Sequence, residues 1–218
     1  MWVLLSHKLS VATPSYDMGP SLEIRPFKQI ERGNSSNSYF VSFLNHLGTH
    51  VDAPLHFDPR GRPIAGFGVD FFIFERPVLV DIPKGVGELI TADELRSLYD
   101  EIRDADLLMI RTGFQRFRES DVEAFSRRGP CLSDGAARYI VEELPRLRAV
   151  GVDAISISSP MRREEGRAAH RTLLVGRDFL IIEDMDLMDK PSNIRRVFVM
   201  PLLIDGVDSA PCMVLAEV

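Results

Sequence analysis

The chain has 218 residues, 45% of them hydrophobic and 27% charged, with a net charge of −6 at pH 7. This is ordinary globular composition and excludes a disordered or collagen-like chain, while 26 basic against 32 acidic residues leave no concentrated basic face for nucleic acid. No apolar run approaches the ~20 residues of a membrane span, and the short stretch before His7 and Lys8 lacks the basic lead of a secretory signal.

In chain order, β-like runs are read at Trp2–Leu5, Ser38–Leu44, Pro77–Ile82, Leu107–Arg111, Val152–Ile157, Phe179–Ile182 and Val197–Ile204. Several are nearly continuous in apolar or β-branched residues, as buried strands are. Residues 10–45 are turn-rich and show no helix. Phe67, Phe71, Phe72 and Phe74 read as core packing. Thr91 and Glu94 have capping-box spacing ahead of Leu95, Leu98 and Ile102. Ser133 caps a second helix expected to run through Leu147, with Ala136, Ala137, Ile140, Val141 and Leu144 on one stripe and Pro145 near its end. A shorter helix is expected over Ala168–Val175. Strands interleaved with helices predict an α/β fold, one domain over residues 1–218, with a mixed sheet and flanking helices. The glycine fingerprint of a dinucleotide-binding fold is missing. Cys131 and Cys212 form no CxxC and read as reduced buried thiols of a cytoplasmic protein.

Three of the five histidines fall within eleven residues, His46-Leu47-Gly48-Thr49-His50-Val51-Asp52-Ala53-Pro54-Leu55-His56. In an extended chain the even positions share one face, which collects His46, His50, Asp52 and His56, while the odd positions are mostly apolar. Gly48 removes bulk between two histidines, and Pro54 ends the ladder and bends His56 back. A helix would also pair His46 with His50, but Gly48, Val51 and Pro54 disfavour it. Imidazole and carboxylate on one face suit Zn²⁺ or a similar divalent ion. By their own context, His7 reads as a surface or core residue, His170 as a helix-face residue and Glu183 as a strand end.

The segment His46–Phe57 matches in full the HxGTHxDxPxHF signature of the metal-dependent cyclase family, which includes bacterial kynurenine formamidases and isatin hydrolases. Weaker stretches resemble that family in the same order: Arg111-Thr112-Gly113-Phe114, Leu132-Ser133 with Ala136-Ala137, Gly151-Val152-Asp153-Ala154, His170 with Glu183-Asp184-Met185, Met200-Pro201-Leu202, and Asp205 to Pro211. The resemblance therefore covers nearly the whole chain. Two places depart from it. Thr13–Pro20 contains no tryptophan where formamidases carry a WPGD-like stretch, and Ser156–Pro160 lacks the family's aspartate after the GxD strand.

The resemblance implies a swivelling β/β/α cyclase-like fold and a homodimer or homotetramer. It implies that His46, His50 and Asp52 bind one metal. Asp52 would bridge to a second ion held also by His170 and Glu183, and His56 would be the acid–base residue or a further ligand. One or two divalent ions per chain are expected, zinc first and manganese second. The implied reaction is attack of metal-bound hydroxide on the C–N bond of a formamide or cyclic amide, in a small carbonyl substrate of anionic or aromatic character. A lactone hydrolase, a cyclase or dehydratase, and a non-catalytic metal-binding module are the alternatives. Arg162, Arg163 and Arg167 precede His170 and could clamp a carboxylate, but Glu164 and Glu165 share the segment and favour a solvated loop.

Overall fold

The computed structural model describes residues 1–218. The strands are β1 (Trp2–Leu4), β2 (Glu23–Lys28), β3 (Ser38–Ser42), β4 (His50–Asp52), β5 (Ile73–Phe74), β6 (Pro77–Asp81), β7 (Leu89–Ile90), β8 (Leu107–Arg111), β9 (Cys131–Leu132), β10 (Ala149–Val152), β11 (Leu180–Glu183), β12 (Arg196–Pro201) and β13 (Ser209–Glu217). The helices are α1 (Ala92–Ser97), α2 (Tyr99–Ile102), α3 (Phe117–Ser120), α4 (Val122–Arg127), α5 (Asp134–Glu143) and α6 (Arg163–Leu174).

One mixed sheet carries the fold, in the order β5-β12-β13-β4-β11-β10-β8-β6, with β1 also paired to β13. Strands β6, β8, β10 and β11 run parallel. Strand β4 lies antiparallel between β11 and β13, so it joins the parallel half to the antiparallel half. The end strands β5 and β6 are separated in sequence only by Glu75 and Arg76, so the sheet curls until its ends approach.

Both faces of the parallel strands are covered, which is why their sequences are continuously apolar. Leu107 and Met109 point inward with Leu79, Ala149, Leu180, Ile182 and Phe74. Leu108 and Ile110 point outward, with Val80, Val150 and Ile181, against Leu95, Ile140, Ala169 and Leu173 of the helices. Phe67, Phe72 and Phe74 are core residues, as read from sequence.

Several elements differ from expectation. Helix α5 stops at Glu143, because Leu144 precedes Pro145 and takes non-helical angles. The Thr91 helix forms its full capping box but breaks at Leu98 into α1 and α2. Helix α6 starts at Arg163, five residues before the expected start, behind a turn in which Ser159 accepts from Met161 N–H and Pro160 stands first. The run Val152–Ile157 is a strand only at its first residue. Beyond it the Asp153 carboxylate accepts from the N–H groups of Thr112 (2.8 Å) and Gly113 (2.8 Å), pinning one sequence motif to another. Strands β2 and β3 form a separate, exposed two-stranded ribbon rather than part of the main sheet.

Candidate metal centre

The histidine segment is extended only at its middle. Strand β4 holds His50 and Asp52, paired to β11 and β13 so that His50 lies opposite both Glu183 and Pro211. His46 arrives through a turn in which Gly48 has φ +67°, and a Cβ there would sit 2.4 Å from a Leu9 methyl carbon. Glycine is needed for backbone conformation and close approach, rather than to separate two imidazoles on a strand. His56 ends a 3-10 turn that starts at Pro54. Helix α6 delivers His170, and the C-terminal end of β11 delivers Glu183.

These elements bring all six sequence-predicted residues to one place. His46, His50, His56, His170 and Glu183 line one cavity of about 260 Å³, with Asp52 buried behind them. Each of three histidines ties its outer nitrogen to an acceptor. His50 Nδ1–H donates to the Gly48 carbonyl (2.7 Å), His170 Nδ1–H to the Gly166 carbonyl (2.8 Å), and His46 Nε2–H to Asp208 Oδ2 (3.0 Å). The opposite nitrogens then face the two buried carboxylates. His46 Nδ1 is 2.9 Å from Asp52 Oδ1. His50 Nε2 is 3.5 Å from Asp52 Oδ1 and 3.3 Å from Glu183 Oε2. His170 Nε2 is 3.5 Å from Glu183 Oε1 and 3.9 Å from Asp52 Oδ2.

Neutral imidazoles oriented this way aim lone pairs at carboxylate oxygens. His50 Nε2 and both Asp52 oxygens are buried without a hydrogen-bond partner. Such an arrangement is costly unless a cation lies between the acceptors. Without a metal, protons on the histidines must serve. Burial opposes the imidazolium of His46, but the Asp52 charge and the Asp208 hydrogen bond overcome it and raise its pKa to about 10. His50 and His170 are raised in the same way, against burial, by Asp52 and Glu183. Two triads have ligand atoms close enough to share one ion, His50-Asp52-Glu183 and His46-Asp52-His56. Asp52 belongs to both, and His50 groups with Glu183 rather than with His46. Nitrogen and carboxylate donors with outer hydrogen bonds to the imidazoles are the chemistry that a divalent cation requires.

Four contributors are not singled out by the sequence as site residues: Asp208, Ser156, Ile157 and Tyr16. Asp208 Oδ2 accepts from both His46 and His56 Nδ1–H (2.7 Å), while Asn45 holds its other oxygen (2.7 Å). Its signal was its place in the closing family-like stretch. The Ser156 hydroxyl and the Ile157 N–H each donate to Glu183 Oε1 at 2.7 Å, so the Ser-rich departure from the family pattern still supports the centre. Tyr16 lines the cavity from the segment that lacks tryptophan. Arg163 and Arg167 also line it, on α6 rather than on a solvated loop, while Arg162 turns away to donate to the Gly87 carbonyl. His7 is apart from the centre, 4.0 Å from Asp184 Oδ1 with its Nε2 lacking a hydrogen bond.

Residues 3–159, well over half the chain, match the family described as "Putative cyclase". The chain belongs to the Cyclase family. This Cyclase-family chain is 24% identical over 211 residues to the kynurenine formamidase of Geobacillus thermodenitrificans, covering 96% of this chain and 94% of that protein. The solved structure of isatin hydrolase A from Labrenzia aggregata bound to benzyl benzoate superposes with a TM-score of 0.84 at 20% identity, over 99% of this chain and 93% of that one. A structure described as a potential metal-dependent hydrolase with cyclase activity gives 0.77 at 26% identity, over 99% and 96%. The fold is thus the mixed α/β cyclase fold.

Proposed function

We propose that this protein is a metal-dependent hydrolase that cleaves the C–N bond of a formamide or cyclic amide. The observation that carries the reading is the convergence of three outer-tethered histidines on two buried carboxylates in one cavity. The kynurenine formamidase relative and the metal-dependent hydrolase neighbour support the reaction class.

Asp52, Glu183, His50 and His170 would hold a divalent ion, zinc or manganese, with His46 Nδ1 as a further ligand. The sharing of Asp52 by two triads leaves room for a second ion. When bound, such an ion lowers the pKa of water from 15.7 to about 7 and polarises a carbonyl oxygen. The chain's own residues do the rest. His56 gives its Nδ1–H to Asp208, which leaves Nε2 toward the cavity to take a proton from water and return it to the leaving nitrogen. Asp208 fixes the tautomer and orientation of that ring. Phe57 stacks on His170 with ring centroids 4.9 Å apart, and Ile155 adds an apolar wall, so both limit water in the cavity. We take residues 1–218 to act as one such unit, in a homodimer or homotetramer.

Metal analysis of the purified protein, paired with hydrolysis of N-formylkynurenine and isatin before and after chelation, tests the proposal. One or two ions per chain and chelator-sensitive turnover are expected. Full turnover by a metal-free His50→Ala variant would overturn it.

A further inference from the structure

We propose that Arg163 and Arg167 form a carboxylate clamp at the mouth of the cavity, so that the substrate is a small carbonyl compound carrying a negative charge away from the bond that breaks. The inference rests on the hydrolase reading above and names its substrate class.

Arg163, Arg167 and His170 follow one another at i, i+4 and i+7 and share a face of α6. At 1.5 Å of rise per residue, the two arginines stand about 10.5 and 4.5 Å along the axis from the histidine. All three line the same cavity, together with Tyr16 and Phe57. A ligand seated against His170 therefore meets guanidinium groups one and two helical turns away.

The two arginines differ in their partners. Arg163 Nη2 donates to Asp17 Oδ2 at 2.5 Å, which fixes its position. That carboxylate is also 3.3 Å from Arg127, which reaches Glu123 as well, at 3.8 Å. Arg167 is less committed. Its nearest carboxylate is that of Glu164 at 3.6 Å, whose side chain is 94% exposed. Arg167 thus keeps its guanidinium donors largely uncommitted at the mouth of the cavity. A planar guanidinium with free donors suits bidentate capture of a carboxylate.

A second feature reinforces the placement. Asp17 and Met18 have φ of +53° and +58°, a left-handed conformation that is costly for non-glycine residues. The strained turn holds Asp17 on Arg163 and Tyr16 on the cavity wall, with Tyr16 Oη 3.4 Å from Ser158 Oγ. The aromatic ring and the fixed arginine are thereby set side by side. The cavity volume is about 260 Å³. That is space for a small aromatic acid.

The test compares N-formylkynurenine, which carries a carboxylate, with neutral formanilide on the metal-loaded enzyme. In Arg167→Gln the ratio of their kcat/KM values is expected to fall about 5–50-fold, the range of a partly exposed charge-assisted hydrogen bond. Arg167→Lys should recover part of the ratio by keeping the charge. An unchanged ratio in Arg167→Gln and in Arg163→Gln would overturn the clamp. Calorimetric binding of anthranilate against aniline provides a readout independent of turnover. Anthranilate binding that weakens in Arg167→Gln supports the clamp even if neither amide is hydrolysed, and that outcome would sink the hydrolase reading alone. Anthranilate bound equally by wild type and both variants would sink the clamp alone.

Discussion

Gly166→Ala tests how closely α6 must approach the sheet for the centre to form. A Cβ at residue 166 would lie 2.1 Å from Ser158 Oγ, 2.4 Å from its Cβ and 2.7 Å from its Cα. The hydroxyl can rotate away, but the Cβ and Cα cannot. Restoring an ordinary 3.4 Å contact from the 2.4 Å between the two Cβ atoms requires a backbone shift of about 1.0 Å. Alanine gains about 1 kcal/mol of helix propensity over glycine. Overpacking of this kind costs about 1–3 kcal/mol. The net expectation is a loss of up to about 2 kcal/mol, or a Tm lower by up to about 8 °C for a chain of this size. Function should suffer more than stability. The Gly166 carbonyl accepts from His170 Nδ1–H, so the ring moves with the helix, and a displacement near 1 Å in a reacting constellation can cost about a hundredfold in rate. Calorimetric melting, metal content and kcat/KM on N-formylkynurenine give the three readings. An alanine variant that melts higher than wild type and keeps full metal and turnover would refute the argument.

Asp208→Asn removes the charge that orients His56 and His46, so kcat should fall at least about tenfold with a smaller change in KM, read by steady-state kinetics. Arg118 makes two 2.8 Å contacts with Asp184, which is fully buried beside Glu183, so Arg118→Met leaves an unpaired buried charge. Urea unfolding should show a loss of about 3–5 kcal/mol. Burial pushes the Cys131 thiol up to about 12 and Cys212 higher still. Neither should be alkylated by iodoacetamide at pH 8 in the folded protein, and both should be in denaturant, as mass spectrometry would show.

Much of the sheet was legible because strands buried on both faces must be apolar throughout, and β8 coincides with its sequence run. The helix ends were harder. Leu98 is apolar and in phase, so periodicity carries through the break between α1 and α2, and the glutamate-rich first turn of α6 reads as solvent-exposed until Pro160 is taken as its start signal. The ligand segment was found by clustering, but its geometry was not an alternating strand. His46 and His56 are folded onto β4 by a left-handed glycine and a proline turn, features that set direction without leaving a hydrophobic period. Asp208 is far from the histidines in sequence and meets them only because β13 pairs with β4. Arg163 and Arg167 were seen as candidates, but their shared helix face with His170 depends on where α6 begins.

Two of the inward histidines are held by main-chain carbonyls, those of Gly48 and Gly166. A peptide carbonyl has no proton to gain or lose near neutral pH and cannot be deleted by replacing a side chain. Which nitrogen each ring turns inward is therefore a property of chain path rather than of nearby residue identity. Both carbonyls belong to glycines packed too closely for a Cβ, so the donor geometry depends on those two approaches. Transplanting this centre into another scaffold would mean copying two tight backbone approaches first, and only then the residues that face the ion.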